Sequence, residues 1–373
     1  MKLPDFKLER YFAKYEFNAP HLLCCSDCES FTIKEILSLE GESAFERFQN
    51  QWLGYTEAPG NPELRQTIAD IYTQVSAENV LVTSGAEEAI FLFMNAALEK
   101  KDHIIVQYPC YQSLIEVASS IGCEVTRWEM QEKDNWELDL DFLSGSLRPN
   151  TRAIIINAPH NPTGYTPSVE KWNVLIELAR SRNIVLFSDE VYRFLEYNAA
   201  DRLPAACDLY ENAVSLGVMS KTYGLAGLRI GWIATRNGEI YRRMASFKDY
   251  TSICNSAPSE FLSLIALKHR DKLACRNLDI IQENLLLLDQ FFTRYSDKFL
   301  WQKPKAGPIA FPSIRWEASV EDFCLDLVQK KGVLLLPSNY YDFGQRNFRI
   351  GFGRKNLPQC LDKLDQYMQE NKE

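Results

Sequence analysis

Apolar residues along this chain follow two rhythms. Between Asn79 and Thr235, short uninterrupted apolar runs alternate with longer stretches whose apolar residues recur every third or fourth position. The first pattern marks strands buried on both faces, the second marks helices packed on a sheet. The candidate strands are Asn79–Val82, His103–Val106, Glu124–Arg127, Ala153–Asn157, Ile184–Phe187, Ala213–Val218 and Ile230–Ala234. Ser84 is placed to cap a helix running through Glu87 to Leu98, Thr166-Pro167 has the N-cap and N1 residues of another, and Arg236-Asn237 leads into a third. This alternation predicts an α/β fold: a large domain with a mostly parallel seven-stranded sheet between helices.

After Pro258 the rhythm lengthens. An amphipathic helix through Ile280 to Phe292 precedes short strands at Ile309–Ile314, Val333–Leu336 and Phe348–Ile350, the pattern of a smaller α+β domain. Residues 1–45 lack the strand–helix alternation and are expected to pack on that domain or across the mouth of a site. The predicted division is a large domain over 46–257 and a small one made of 1–45 and 258–373. A length of 373 residues favours two cores, and 46% hydrophobic content suffices for both.

Charge removes several classes of function. A net charge of −9 and the lack of any Lys/Arg block disfavour a nucleic-acid partner. Met1 to Lys7 interleaves charged with apolar residues, and no stretch has membrane-spanning length, so no membrane partner and a cytoplasmic location are expected. Ten cysteines include the formal C-x-x-C pair Cys25 and Cys28, but no second pair follows and the four histidines are scattered. No metal site is predicted, and most of the cysteines read as reduced core thiols.

Chemistry enters at the ends of the predicted strands, where open α/β sheets bind ligands. Lys221 follows the run Ala213–Val218 and precedes a loop with two glycines that leads to Ile230–Ala234. A lone lysine is ordinarily a solvated charge. Burial here would lower its pKa and free the amine to attack a carbonyl, as lysines do with pyridoxal phosphate. Arg229, eight residues on, is then placed to hold a phosphate. Ser84-Gly85-Ala86 opens a helix whose free N–H groups suit an anion, although such a sequence is usually only a cap. Tyr111 is either a core ring or a platform for a planar ligand. Asn161 lies in a turn and can donate an amide hydrogen bond, while Asp189 and Tyr192 end the strand Ile184–Phe187. A carboxylate against a pyridine nitrogen keeps that ring protonated, which suits Asp189, and Tyr192 and Asn161 suit its phenolate oxygen. Arg349 could bind a substrate carboxylate with both guanidinium arms or form an ordinary ion pair.

Taken in order, Asn161-Pro162-Thr163-Gly164, Asp189 with Tyr192, Ser220-Lys221 and Gly227-Leu228-Arg229-Ile230-Gly231-Trp232 resemble the motifs of the class I/II aminotransferases, enzymes of PLP fold type I. The likeness extends from about Tyr55 to Arg354. It implies pyridoxal 5′-phosphate as cofactor, with Lys221 as the Schiff-base lysine and proton shuttle and Asp189 as partner of the ring nitrogen. It implies Asn161 and Tyr192 as ligands of the ring oxygen and Tyr111 as the stacking ring. Gly85, Ala86, Ser220 and Arg229 match the phosphate cup, and Arg349, with Asn161, the substrate-binding residues. Tyr55, in the Leu53 to Gly60 segment, matches the residue such enzymes lend to a neighbouring subunit, so a homodimer acting on an amino acid and a 2-oxo acid is implied. The layout is more loosely similar to the cyclising branch of that family, capreomycidine synthase.

Two departures stand out. Val218 occupies a position where the family often has a phosphate-binding Ser or Thr, and His21 to Ser30 lacks the glycine many members place near the substrate. The expected activity is an aminotransferase with a ping-pong cycle. The alternative is a lyase, cyclase or β/γ-replacement enzyme that begins from the same carbanion. A nicotinamide dehydrogenase is disfavoured, since no G-x-G-x-x-G follows an early strand. A non-catalytic protein would need a defect in the core set, and Lys221 and Asp189 are both present.

Overall fold

The seven apolar runs form one sheet. The computed structural model of the chain describes residues 2–371. Strands β1 (Val80–Thr83), β2 (His103–Tyr108), β3 (Glu124–Glu129), β4 (Thr151–Asn157), β5 (Val185–Asp189), β6 (Ala213–Val218) and β7 (Gly231–Thr235) hydrogen-bond in the order β1-β7-β6-β5-β4-β2-β3. Six share one direction, and β7 runs antiparallel to both neighbours. The inner strands are buried on both faces and mostly apolar because helices cover both sides. Ile104, Val106, Ile155 and Phe187 join one core, while Ile105, Ile154, Ile156 and Leu186 join the core on the other side. The edge strand β3 instead exposes Glu124, Arg127 and Glu129, charges that discourage pairing with another chain.

The reversed strand decides where chemistry can collect. In register, Gly231 at the start of β7 faces both Thr83 at the end of β1 and Val218 at the end of β6. The loop between Val218 and Gly231 therefore leaves and returns at the edge of the sheet where β4 ends at Asn157 and β5 at Asp189.

The helices named below are α1 (Lys7–Tyr15), α2 (Gly85–Ala97), α3 (Val169–Ser181), α4 (Gly238–Lys248) and α5 (Arg270–Arg294). Beyond the large sheet, β8 (Ile309–Ala310), β9 (Leu336–Pro337) and β10 (Phe348–Gly351) form an antiparallel sheet in the order β8-β10-β9. His21–Leu22 pairs in parallel with Val333–Leu334, which fastens the N-terminal segment to this C-terminal part. No helix among the described residues is long and apolar enough to cross a membrane.

Local expectations need three corrections. Ser84 precedes α2, but its side chain caps nothing; its own N–H donates to Glu88 Oε2 at 2.5 Å, and the chain enters the helix through Gly85 at φ +79°. The helix expected at Thr166-Pro167 begins instead at Val169, because Ser168 accepts the capping hydrogen bond from Lys171 N–H. Ile309–Ile314 and Val333–Leu336 are each two short strands with different partners. In the first, Phe311-Pro312 separates the halves, and the Pro312 carbonyl accepts from Phe348 N–H at 2.9 Å.

Candidate active site

At the C-terminal edge of the large sheet lies a cavity of about 420 Å³. The loop after β6 brings Ser220, Lys221 and Arg229 to it, the end of β5 brings Asp189 and the turn after it Tyr192, the turn after β4 brings Asn161, and β10 brings Arg349. Ala86, from the first turn of α2, and Tyr111 complete the predicted residues that line it. Lys221 is surrounded by protein yet partly open to this space. Burial holds its pKa below the ordinary lysine value, against the opposing pull of the Asp27 and Asp189 carboxylates. Its Nζ donates to Ser26 Oγ at 2.9 Å.

Asp189 is buried at 6% exposure, and burial pushes its carboxyl up to about 7. One oxygen accepts from Val191 N–H at 3.2 Å, and the other has no protein partner among the described residues. A carboxyl of this kind gains most from a neighbouring cation or N–H donor in the cavity. Tyr192 is buried, and its phenol donates to the Ser26 carbonyl at 3.1 Å.

Arg349 is a guanidinium with 1% of its surface exposed. Its Nε donates to the Cys24 carbonyl at 3.0 Å, and its Nη1 donates to Tyr341 Oη at 2.8 Å and to Asn161 Oδ1 at 3.3 Å. Tyr341 Oη donates to the same Asn161 oxygen at 3.1 Å. The amide of Asn161 thus turns its acceptor to Arg349 and Tyr341 and keeps its NH₂ for an occupant of the cavity. Arg349 makes no ion pair among the described residues, so a buried positive charge faces the cavity without a counter-ion.

The anion-favouring end is assembled by close backbone contact. Arg229 adopts a left-handed conformation at φ +52° and lies against Gly85, where a Cβ would come within 2.5 Å of its Nη2. A Cβ on Gly231 would come within 2.7 Å of the Gly85 carbonyl carbon, so both glycines are required for α2, β7 and Arg229 to meet. Val218 lines the cavity as a buried apolar residue. Tyr111 is half-buried and rests on Phe6 with ring centroids 5.1 Å apart.

Tyr55 stands outside this group. It is 85% exposed, next to the exposed Trp52 and Leu53, and does not line the cavity. Among the described residues no three His, Cys, Asp or Glu side chains gather in a way that would hold a metal ion.

Several lining residues escaped the sequence reading. Helix α1 lays Leu8, Glu9 and Phe12 along the cavity, and Glu16 follows just beyond its end. Their spacing signals an amphipathic helix but not where it docks. Ser26 comes from a segment without regular structure, in which the stretch Asp27 to Glu29 is expected from the sequence to shape or charge the pocket; Asp27 does line it, paired with Arg354. Tyr341, which does not line the cavity but holds Arg349 and Asn161, carried no signal at all.

Comparison with known proteins agrees with this geometry. The sequence model of the class I and II aminotransferases matches residues 22–364. Capreomycidine synthase of Streptomyces vinaceus is 27% identical over 352 residues, covering 94% of this chain and 90% of its own. An aspartate aminotransferase of Pyrococcus horikoshii is 26% identical over 353 residues, covering 89% of this chain and 87% of its own. Among solved structures, a PLP-dependent aminotransferase from Streptococcus suis superimposes with a TM-score of 0.93 at 32% identity, covering 99% of both chains. The PLP-dependent cyclase OrfR superimposes with a TM-score of 0.92 at 28% identity, covering 99% of this chain and 98% of its own.

Proposed function

Because the chain belongs to the class I and II aminotransferases and is therefore a pyridoxal-phosphate-dependent enzyme, we propose that it transfers the amino group of an L-amino acid to a 2-oxo acid in a ping-pong cycle. One observation carries the reading: Lys221, Asp189 and Arg349 open onto a single cavity of about 420 Å³. They are a partly desolvated amine, a buried acid and a buried guanidinium without a counter-ion.

The residues present fit the cofactor. Asp189 keeps one carboxylate oxygen without a protein partner, as a pyridinium nitrogen requires, and Asn161 keeps a free NH₂ for the ring oxygen. Gly85, Ala86, Ser220 and Arg229 form the phosphate end, where helix N-terminal N–H groups and a guanidinium favour an anion. Tyr111, which lines the cavity, would offer an aromatic face to the cofactor's ring. When bound, pyridoxal phosphate supplies an electron sink for the carbanion left when a substrate Cα loses its proton.

The chain's own groups do the rest. Lys221 Nζ would be the cofactor's point of attachment and, when free, the base that takes the substrate Cα proton and the acid that gives a proton back. Burial suits it to this work, since an amine protonated at neutral pH has no lone pair with which to act as a base. Arg349 binds the substrate α-carboxylate and, with Asn161, fixes the Cα–H bond relative to Lys221. Tyr55 and its exposed neighbours Trp52 and Leu53 form part of a homodimer contact, with Tyr55 reaching the neighbouring subunit's phosphate end.

A second reading is favoured by a specific likeness. Capreomycidine synthase and the cyclase OrfR match nearly the full chain as well as the aminotransferases do. In that reading the same carbanion expels or captures a group on the substrate side chain before Lys221 returns its proton. The test begins with the absorbance spectrum of the purified protein supplied with pyridoxal phosphate, where a visible band absent from Lys221→Ala is expected. L-amino acids are then added without an acceptor. One equivalent of 2-oxo acid with no ammonia supports transamination; continuous turnover with ammonia or a cyclised product supports the second reading; no band at all removes both.

A further inference from the structure

The N-terminal segment carries a hydroxyl that the family motifs do not assign. Lys221 Nζ and Ser26 Oγ lie 2.9 Å apart, and among the described residues each is the other's only hydrogen-bond partner. The contact belongs to a rigidly held stretch of backbone. Gly351 N–H donates to the Leu23 carbonyl at 2.9 Å, and Glu29 N–H donates to the Gly353 carbonyl at 2.8 Å. Between these points Arg349 Nε holds the Cys24 carbonyl, Tyr192 Oη holds the Ser26 carbonyl, and Arg354 grips the Asp27 carboxylate. The backbones are so close that a Cβ on Gly351 would come within 1.9 Å of the Cys25 carbonyl oxygen. An exposed serine hydroxyl samples several rotamers at little cost, whereas this one is delivered to the amine by backbone fixed on both sides.

We propose that Ser26 is a catalytic residue whose hydroxyl accepts a hydrogen bond from the Lys221 ε-amine whenever that amine is free, and so holds it in place between taking one proton and returning another. The proposal rests on the reading of Lys221 as the proton carrier. The step is a balanced proton transfer. The Nζ lone pair takes the Cα proton and becomes an ammonium; Ser26 Oγ accepts a hydrogen bond from one of its three N–H groups, which keeps the other two toward the cavity; and giving a proton back to the carbanion-bearing system would return Nζ to the neutral amine. Ser26 itself neither gains nor loses a proton. An acceptor bonded to the ammonium form favours that form, so Ser26 also offsets part of the burial that lowers the amine's pKa. The peptide on either side of Ser26 contributes the same positions whatever residue stands there; only the side-chain oxygen is particular to serine.

Two measurements on the full-length protein test it, using Ser26→Ala, Ser26→Gly and the hydroxyl-retaining Ser26→Thr. In the cofactor-loaded enzyme, a single turnover with an amino acid deuterated at Cα reads proton transfer directly. Ala and Gly are expected to slow it about tenfold to a hundredfold with a larger isotope effect, and Thr to recover to within about threefold of the parent. In the cofactor-free protein, the pH dependence of Lys221 modification by an amine-reactive reagent reads the amine alone. Its midpoint is expected to fall by roughly half a unit to one unit in Ala and Gly but not in Thr. Unchanged isotope effects and an unchanged midpoint in both Ala and Gly would overturn the proposal. A missing Lys221-dependent absorbance band would instead overturn the reading of the lysine, while the midpoint shift would still report on the Ser26 contact.

Discussion

Asp27 and Arg354 form a two-point ion pair, with Nε donating to Oδ1 at 2.9 Å and Nη2 donating to Oδ2 at 2.7 Å. Arg354 lines the cavity, yet this pairing leaves no uncommitted guanidinium there for a second carboxylate on a substrate. In Asp27→Asn the guanidinium is released. The ratio of kcat/KM for aspartate over a neutral amino acid of similar size is expected to rise about tenfold, with about 1–3 kcal/mol of stability lost along with the charge-assisted bonds. Substrate panels and melting curves on parent and variant check both parts; a constant ratio would mean the pair only fastens the N-terminal segment.

Asp189 gives the cofactor-free protein a pH signature. Its carboxyl titrates at about 7 when folded because burial penalises its charge, and near 4 when unfolded. Between those values the folded chain holds the extra proton, so stability falls as pH rises from about 4 to about 7. Asp189→Asn removes that fall. The cofactor-free variant is expected to be more stable than its parent by roughly 1–3 kcal/mol at pH 8 and equal to it near pH 4, while losing at least about a hundredfold in activity once loaded. Urea midpoints at both pH values decide the matter, and equal midpoints at pH 8 would count against a buried charge at this position.

Gly351→Ala places a methyl group where the Cys25 carbonyl oxygen sits, 1.9 Å away. Backbone cannot yield as a flexible side chain would, so the segment bearing Ser26 must shift. We expect about 2–4 kcal/mol of destabilisation and a loss of kcat, with cofactor affinity little changed because the phosphate end lies on other elements. Denaturant unfolding and a cofactor titration separate the two effects. A parallel loss of cofactor affinity would show that the two ends of the cavity are coupled.

Lys248, at the end of α4, is a cation 1% exposed, and its Nζ donates to the Ala58 carbonyl at 2.9 Å and the Ile253 carbonyl at 3.0 Å. It ties Ala58, three residues past the exposed Trp52, Leu53 and Tyr55, to the stretch that exposes Tyr250 and Ile253. In the proposed dimer these form one contact. Trp52→Asp combined with Tyr250→Asp is expected to weaken association at least about a hundredfold, by placing charge where an apolar anchor was. Sedimentation of both proteins over a range of concentrations reads this, and an unchanged mass would move the interface elsewhere.

The strands were legible because an inner strand buried on both faces must be mostly apolar; β6 occupies the predicted residues Ala213–Val218, and the other six differ at their ends by at most two. Lys221, Asp189, Asn161 and Arg229 were legible because strand ends of an α/β sheet are where polar residues need a reason to be. Ser26 and Tyr341 were not, since their importance depends on contacts between segments 195 and 180 residues apart. The antiparallel setting of β7 was equally silent, for an apolar run carries no mark of its direction.

The pairing of His21–Leu22 with Val333–Leu334, and the seat of Cys25 against Gly351, give the molecule an order of assembly on the ribosome. Every element of the phosphate end has left the exit tunnel soon after β7 is made. The wall bearing Ser26 must wait until residues 333–354 are synthesised. The cavity's two walls thus close at different times, the one built on the large sheet first and the one bearing Ser26 only once residues 333–354 have joined residues 21–29.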